Sequence, residues 1–419
     1  MFGSLYRYEL KKIFLRPYVP VLFVLILAVT LFLNLSPLWE PDDVIYLENG
    51  ELVFDTVSRY EAIQLERRFS QEDTGTLLDN QASDSVRDMN RYYQKVVDPN
   101  DPPTFIMLNH FLVTDSQMKM GINPIYEGQD NLADFAYETM GSWQEEEYRA
   151  QSLTQDEIQY WNQERSGLEI PFTLAYAKGY SGILSLAYWL NLMTVTFVFL
   201  SLCGSFSDDH VYKTWPMLTS ARYGRRPLAL ARLAAGTSVA CGTILLLFVL
   251  TTAIQLFVHG TDGFHTPIQI LSLTDLRPGH GDTGLCDSSR VMEAGPAVLV
   301  TVGMSLLVNL CCAALALFLS KLFRRAIPAL ALPLGLLLVS LLFEPFFSFY
   351  AYNRLLAQIW SYLPIQRLSK NFLLDQRLVW LGDTPVDCIP VSFLLYGVLT
   401  LLFLAACLWF CRRHAVEKE

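Results

Sequence analysis

Six stretches of the chain run without an Asp, Glu, Lys or Arg: Tyr18 to Leu38, Gly179 to Ser207, Leu233 to Val258, Ala294 to Ser320, Ala326 to Phe343 and Cys388 to Cys411. A helix needs about 20 apolar residues to cross a hydrocarbon layer about 30 Å thick, and inside lipid every backbone polar group must find its partner within the segment. The pattern therefore predicts an α-helical polytopic membrane protein with six transmembrane helices. The fifth stretch is the shortest and contains Pro328 and Pro333, which leaves a kinked span and a re-entrant pair with its neighbour as the two readings. Ahead of the first stretch, Phe2, Tyr6, Leu10 and Ile13 recur at helical spacing beside Arg7, Lys11, Lys12 and Arg16. This predicts an interfacial helix over residues 1–17 whose basic side chains reach membrane lipids, with a plain extension of the first span as the other reading. The first run is too long for a signal-peptide core and no small-x-small cleavage site follows it, so it is expected to be retained.

Between the first two spans lies an insertion, residues 39–178, of about 140 residues, long enough to bury a core of its own. It is expected to be mainly helical. Thr154-Gln155-Asp156-Glu157 forms a capping-box pattern ahead of Ile158, Tyr160 and Trp161, and Asn131 to Tyr148 lacks Pro and nearly lacks Gly. The loop Asp98-Pro99-Asn100-Asp101-Pro102-Pro103 is expected to split the insertion into two lobes. A second polar segment, residues 259–293, follows the third span. Residues 344–387 precede the last, with Phe346, Phe347, Phe349, Tyr350, Tyr352, Trp360 and Tyr362 suited to a membrane interface.

Composition agrees with this division. The 419 residues are 52% hydrophobic and 17% charged, which excludes disordered and collagen-like classes. A net charge of -10 argues against nucleic acid as a partner. Fifteen of the 31 Lys and Arg fall in segments 1–17, 208–232, 321–325 and 412–419, against five acidic residues there. The positive-inside rule then places both termini in the cytoplasm and the insertion, with its 27 acidic and 10 basic residues, outside. That acidic bias reads as a solvated face rather than a cation-binding one. Six of the eight cysteines, Cys203, Cys241, Cys311, Cys312, Cys407 and Cys411, lie in apolar runs and read as small core residues.

The inner segment between the second and third spans carries the most information. It opens with Phe206 and the carboxylates Asp208 and Asp209, continues through Tyr212, Lys213, Thr214, Trp215, Met217 and Leu218, and ends in Arg222, Tyr223, Arg225, Arg226 and Arg232. The positive-inside bias accounts for the arginines. It does not account for aromatic and apolar side chains in a segment facing water, which fit a short helix docking in a groove of a cytosolic partner.

In this order of residues the chain resembles the permease subunits of ABC-2 type ATP-binding-cassette transporters, in the version found in Gram-positive bacteria. Asp209 stands where a Glu is usual, Lys213 where a Gly is usual and Arg232 where a Lys is usual. The layout is also similar: an interfacial helix, a first span, an outer insertion, then five spans with a membrane-dipping stretch before the last. The resemblance implies a plasma-membrane exporter that is not itself an enzyme. Phe206, Asp208, Asp209, Thr214, Leu218, Arg222, Tyr223, Arg225 and Arg226 would couple it to a cytosolic ATPase subunit holding ATP and Mg, and a second permease subunit, identical or related, would complete the path. In agreement, no Gly-x-x-x-x-Gly-Lys-Ser/Thr phosphate loop occurs in the chain.

Other candidates are weaker. His259, His265, His280, Asp282 and Cys286 share one segment but match no metal-ligand spacing. Cys286 and Cys388 are candidates for a disulfide. Glu344, at the end of the fifth run, lines a path or marks a headgroup level. The competing class is a membrane receptor with an extracellular sensory domain, which would call for a cytoplasmic output domain that the short inner segments do not supply.

Overall fold

The computed structural model describes residues 2–48, 51–75, 77, 79–80, 132–173, 175–214, 217, 226–271, 285, 288–323, 325–346, 353–368, 370–382 and 384–413. Its elements in chain order are α1 (Phe2–Phe14), α2 (Tyr18–Leu35), β1 (Pro41–Glu48), β2 (Glu51–Ser58), α3 (Arg59–Asp73), α4 (Leu132–Ala150), α5 (Gln155–Arg165), α6 (Lys178–Leu202) and α7 (Ser207–Val211). There follow α8 (Arg226–His259), α9 (Ile268–Leu271), α10 (Ala294–Leu322), α11 (Ala326–Phe346), α12 (Arg354–Ser361), α13 (Pro364–Arg367), β3 (Val379–Leu381), β4 (Thr384–Val386) and α14 (Cys388–Arg413).

Five helical stretches among the described residues are long and apolar enough to cross a membrane: Tyr18–Trp39, Lys178–Asp209, Arg226–His259, Ala294–Leu322 and Cys388–Cys411. The chain is thus a mostly helical protein of the polytopic membrane kind. The fifth apolar run forms α11, continuous through both prolines; its apolar part, Ala326–Leu341, falls short of a straight crossing. Pro328 lies in the first turn, where a missing N–H costs nothing, while Pro333 removes the donor that would reach Ala329.

The bundle is built around α6 and α10, whose apolar stretches are 56% and 61% buried, against 22% for those of α2 and α14. Small residues let the axes approach: Ala297, Ala313, Ala314 and Ala316 of α10 are fully buried, and a Cβ on Gly236 of α8 would stand 2.9 Å from Leu317 Cδ1. The outward faces remain apolar, with Val21, Val24 and Phe32 of α2 and Leu394, Leu401 and Leu402 of α14 exposed. Water penalises a contiguous surface of that kind, and lipid does not. Of the six cysteines expected in the core, Cys203, Cys311, Cys312 and Cys407 are buried free thiols, while Cys241 and Cys411 are half-buried.

The insertion is less purely helical than its sequence suggests. β1 and β2 pair antiparallel from Pro41↔Ser58 to Glu48↔Glu51. Val44, Ile45, Tyr46, Val53 and Phe54 are β-branched or aromatic residues on either side of an Asn-Gly dipeptide, the strongest short hairpin signal. α4 covers all but the first residue of the stretch expected to be helical, and the lobe-dividing loop at Asp98–Pro103 lies outside the described residues. The capping box forms as read. Thr154 Oγ1 accepts from Glu157 N at 3.4 Å, and Glu157 Oε2 accepts from Thr154 N at 2.7 Å. Thr154→Ala is expected to cost about 1 kcal/mol, with Thr154→Ser near neutral; thermal unfolding of the two variants checks this.

Candidate functional site

At the end of the bundle where α1 turns into α2 and α6 leads into α7, the chain gathers six charged side chains. Beyond α6, the Ser320 hydroxyl of α10 accepts from Phe206 N at 2.9 Å and Ser207 N at 3.3 Å, so the turn is fixed to the bundle centre. Asp209, only 3% exposed, receives Lys12 Nζ at 3.2 Å and the Nη1 group of Arg232. Arg232 Nε reaches Glu9 Oε2 at 3.1 Å, and its guanidinium lies 5.2 Å from the centre of the Phe206 ring. Alongside, Arg16 Nη2 donates to Asp208 Oδ2 at 2.8 Å and Nη1 to Ser201 O at 2.6 Å. One network thus joins α1, α6, α7 and α8.

The sequence-predicted residues divide accordingly. Phe206, Asp208 and Asp209 come together, but Phe206 and Asp209 are buried and face the bundle, so they hold the segment in place and offer a partner no surface. Thr214 is half-buried, its N–H donating to Asp209 O at 3.0 Å. Arg226 is exposed at the start of α8. Leu218, Arg222, Tyr223 and Arg225 lie outside the described residues, as does Trp215. Past Asp209 the character changes: Val211, Tyr212 and Met217 are 55%, 74% and 74% exposed. Glu9, Lys12 and Arg16 belong to the network although the sequence reading left Glu9 aside and sent Lys12 and Arg16 to lipid. Glu9 and Lys12 share one face of α1, Arg16 follows in the turn before α2, and Glu9 is the single carboxylate among those cations, which was the available signal.

The opposite end of the bundle holds a second cluster. The segment from α12 to β3 enters between the helices: Tyr396 OH donates to Tyr362 O at 2.8 Å, and Asn191 Nδ2 donates to Leu368 O at 3.1 Å. Asn191 lies roughly 20 Å along α6 from Lys178 at the 1.5 Å rise of a helix. There it also donates to Ser305 Oγ at 2.8 Å and accepts from Asn309 Nδ2 at 2.9 Å. The chain then returns to Arg290, which donates to Leu373 O at 2.9 Å, to Asp375 O and to Asp387. Arg367 pairs with Asp375 at 2.7 Å. Burial alone would raise the Asp375 carboxyl, but the guanidinium groups of Arg367 and Arg377 outweigh it and hold it below the usual carboxylate range.

Cys388 sits inside this cluster as a free, fully buried thiol donating to Asp375 O at 3.1 Å, so it is not half of the disulfide considered with Cys286, which lies outside the described residues. His259 Nδ1 lies 3.1 Å from Tyr176 OH and His265 Nδ1 2.7 Å from Glu293 Oε2. His280 and Asp282 lie outside the described residues. The side chain of Glu344 is likewise not described. Among the described residues no three His, Cys, Asp or Glu converge as metal ligands. No protein-family model matches the chain, and no curated protein sequence does either.

Proposed function

We propose that the chain is the permease subunit of an ATP-binding-cassette exporter of the ABC-2 type, with six spans, both termini cytoplasmic and residues 39–178 outside the cell. A separate ATPase subunit, holding ATP and Mg, docks on the segment between α6 and α8, and a second permease subunit completes the path. The observation that carries this reading is the contrast between a charged anchor, buried Asp209 with buried Arg232 and Glu9 and the half-buried Lys12, and an exposed apolar tip at Val211, Tyr212 and Met217. A tip alone would flex under load. Anchored to α1, α8 and, through Ser320, α10, it passes a push to the helices at the centre of the bundle, the rigid-body kind of switching that two-sided transporters need.

Met217→Cys is expected to react with a membrane-impermeant maleimide only after cells are opened, and to cross-link to an ATP-hydrolysing cytosolic protein. Labelling of intact cells, measured against the unsubstituted chain, would overturn the orientation. Cross-linking that recovers no such protein would overturn the motor.

A further inference from the structure

We propose that the charged end of the bundle holds the phosphate of a membrane phospholipid. Between α1 and the α6–α8 end lies a solvent-open cleft lined by Glu9, Lys12, Ile13, Arg16, Ser205 and Arg232, whose inner volume of about 10 Å³ admits a single oxygen atom of a ligand that lies at its mouth. Ser205 is 6% exposed, and among the described residues its hydroxyl has no partner. A buried hydroxyl left without a hydrogen bond is costly, so an orphan lining a cleft points to a ligand atom. The cations beside it are not saturated. Lys12 spends one of its three N–H groups on Asp209, and Arg232 Nη2 has no acceptor among the described residues although Nε and Nη1 are engaged.

What the cleft offers is therefore a set of donors. The carboxylates Glu9, Asp208 and Asp209 already balance the three cations, so recognition rests on short charge-assisted hydrogen bonds rather than a long-range field, and a group rich in acceptor oxygens meets it. Next to the cleft, where α1 gives way to α2, Phe14, Leu15 and Tyr18 are 38%, 69% and 44% exposed. Apolar side chains flanking a donor-lined cleft suit a phosphate that carries acyl chains, whereas a free phosphate would leave the flank uncovered. The inference rests on the membrane character of the bundle and not on motor docking, so its failure would leave the permease reading untouched.

The test uses the full chain, purified and delipidated in detergent. Dioleoylphosphatidylglycerol is expected to raise the unfolding midpoint and to stay bound in native mass spectrometry, while dioleoylglycerol and inorganic phosphate do neither. Ser205→Ala removes a hydroxyl that has no partner among the described residues and should fold normally. Combined with Lys12→Gln it should raise the phosphatidylglycerol concentration for half-maximal shift about a hundredfold, the loss of one neutral and one charge-assisted hydrogen bond. An equal response to dioleoylglycerol would reduce the site to apolar contact, and an equal response to inorganic phosphate would reduce it to an anion site. An unchanged midpoint curve in the double variant would place the lipid elsewhere; each of these three outcomes overturns the proposal.

Discussion

Arg290→Met is expected to destabilise the protein by about 3–5 kcal/mol, the cost of removing one partner from a buried charge cluster. Arg290 is 4% exposed and makes its bonds in three directions: Leu373 O, Asp375 O and the Asp387 carboxylate. Its guanidinium also stacks 4.8 Å from the centre of the Trp161 ring in α5. It thereby fastens the returning chain to the start of α14 and to the insertion at once. Methionine fills a similar volume but leaves the Leu373 carbonyl and the Asp387 carboxylate without the guanidinium and Asp375 O with only the Cys388 thiol as donor. Arg290→Lys should recover little, because an ammonium on a flexible stem cannot serve three acceptors spread around a planar fork. Arg149→Ala, whose side chain is 79% exposed and pairs only loosely with Glu145 at 4.0 Å, should stay within about 0.5 kcal/mol of the parent. Chemical unfolding in detergent reads all three. A methionine variant as stable as the parent would mean that Arg290 clamps nothing.

The parts of this structure that can be read from sequence are those decided locally. An uncharged apolar run declares a membrane-crossing helix by itself, because lipid demands internal pairing and nothing from a neighbour. Thr154 and Glu157 close a capping box within one turn. The hairpin over residues 41–58 was legible too, in its Asn-Gly dipeptide and flanking β-branched residues, but the expectation of a mainly helical insertion rested on the capping box at Thr154 and the Pro-free stretch from Asn131 and passed over it. The candidate site resisted for a different reason. Asp209 reads locally as a carboxylate opening a loop, since the residues that enclose it, Lys12 and Arg232, stand 197 and 23 positions away. Glu9 and Arg232 are 223 positions apart, and Arg290 meets Asp387 across 97. Pairing over such separations is set by how helices stack, and one sequence carries no mark of it beyond the odd carboxylate among cations.

At the other end of the bundle, Arg232→Met is expected to cost a further large amount, about 3–5 kcal/mol, because it strands two carboxylates in one buried site. Arg232 is 3% exposed, and so is Asp209; Glu9 is 4% exposed. Lys12 can still face Asp209 at 3.2 Å, whereas Arg232 gives Glu9 its buried ion pair. The loss should therefore be repaired by neutralising the acids: Glu9→Gln with Asp209→Asn in the Arg232→Met background leaves, of the six charged side chains, only Lys12, which reaches solvent, and the intact Arg16–Asp208 pair. Replacing a buried ion cluster with neutral side chains of like size is often without cost, so the triple variant should regain most of the lost stability, and the three substitutions should be strongly non-additive. Stability and coupling then separate. If the cluster is the anchor through which a docked motor pushes, the refolded triple variant should still bind that motor by its exposed tip but transmit less of its stroke, seen as ATP hydrolysis no longer matched by transport. Additive effects of the three substitutions on unfolding would mean that Glu9, Asp209 and Arg232 do not share a site. A triple variant that is stable and fully coupled would confine the cluster to packing.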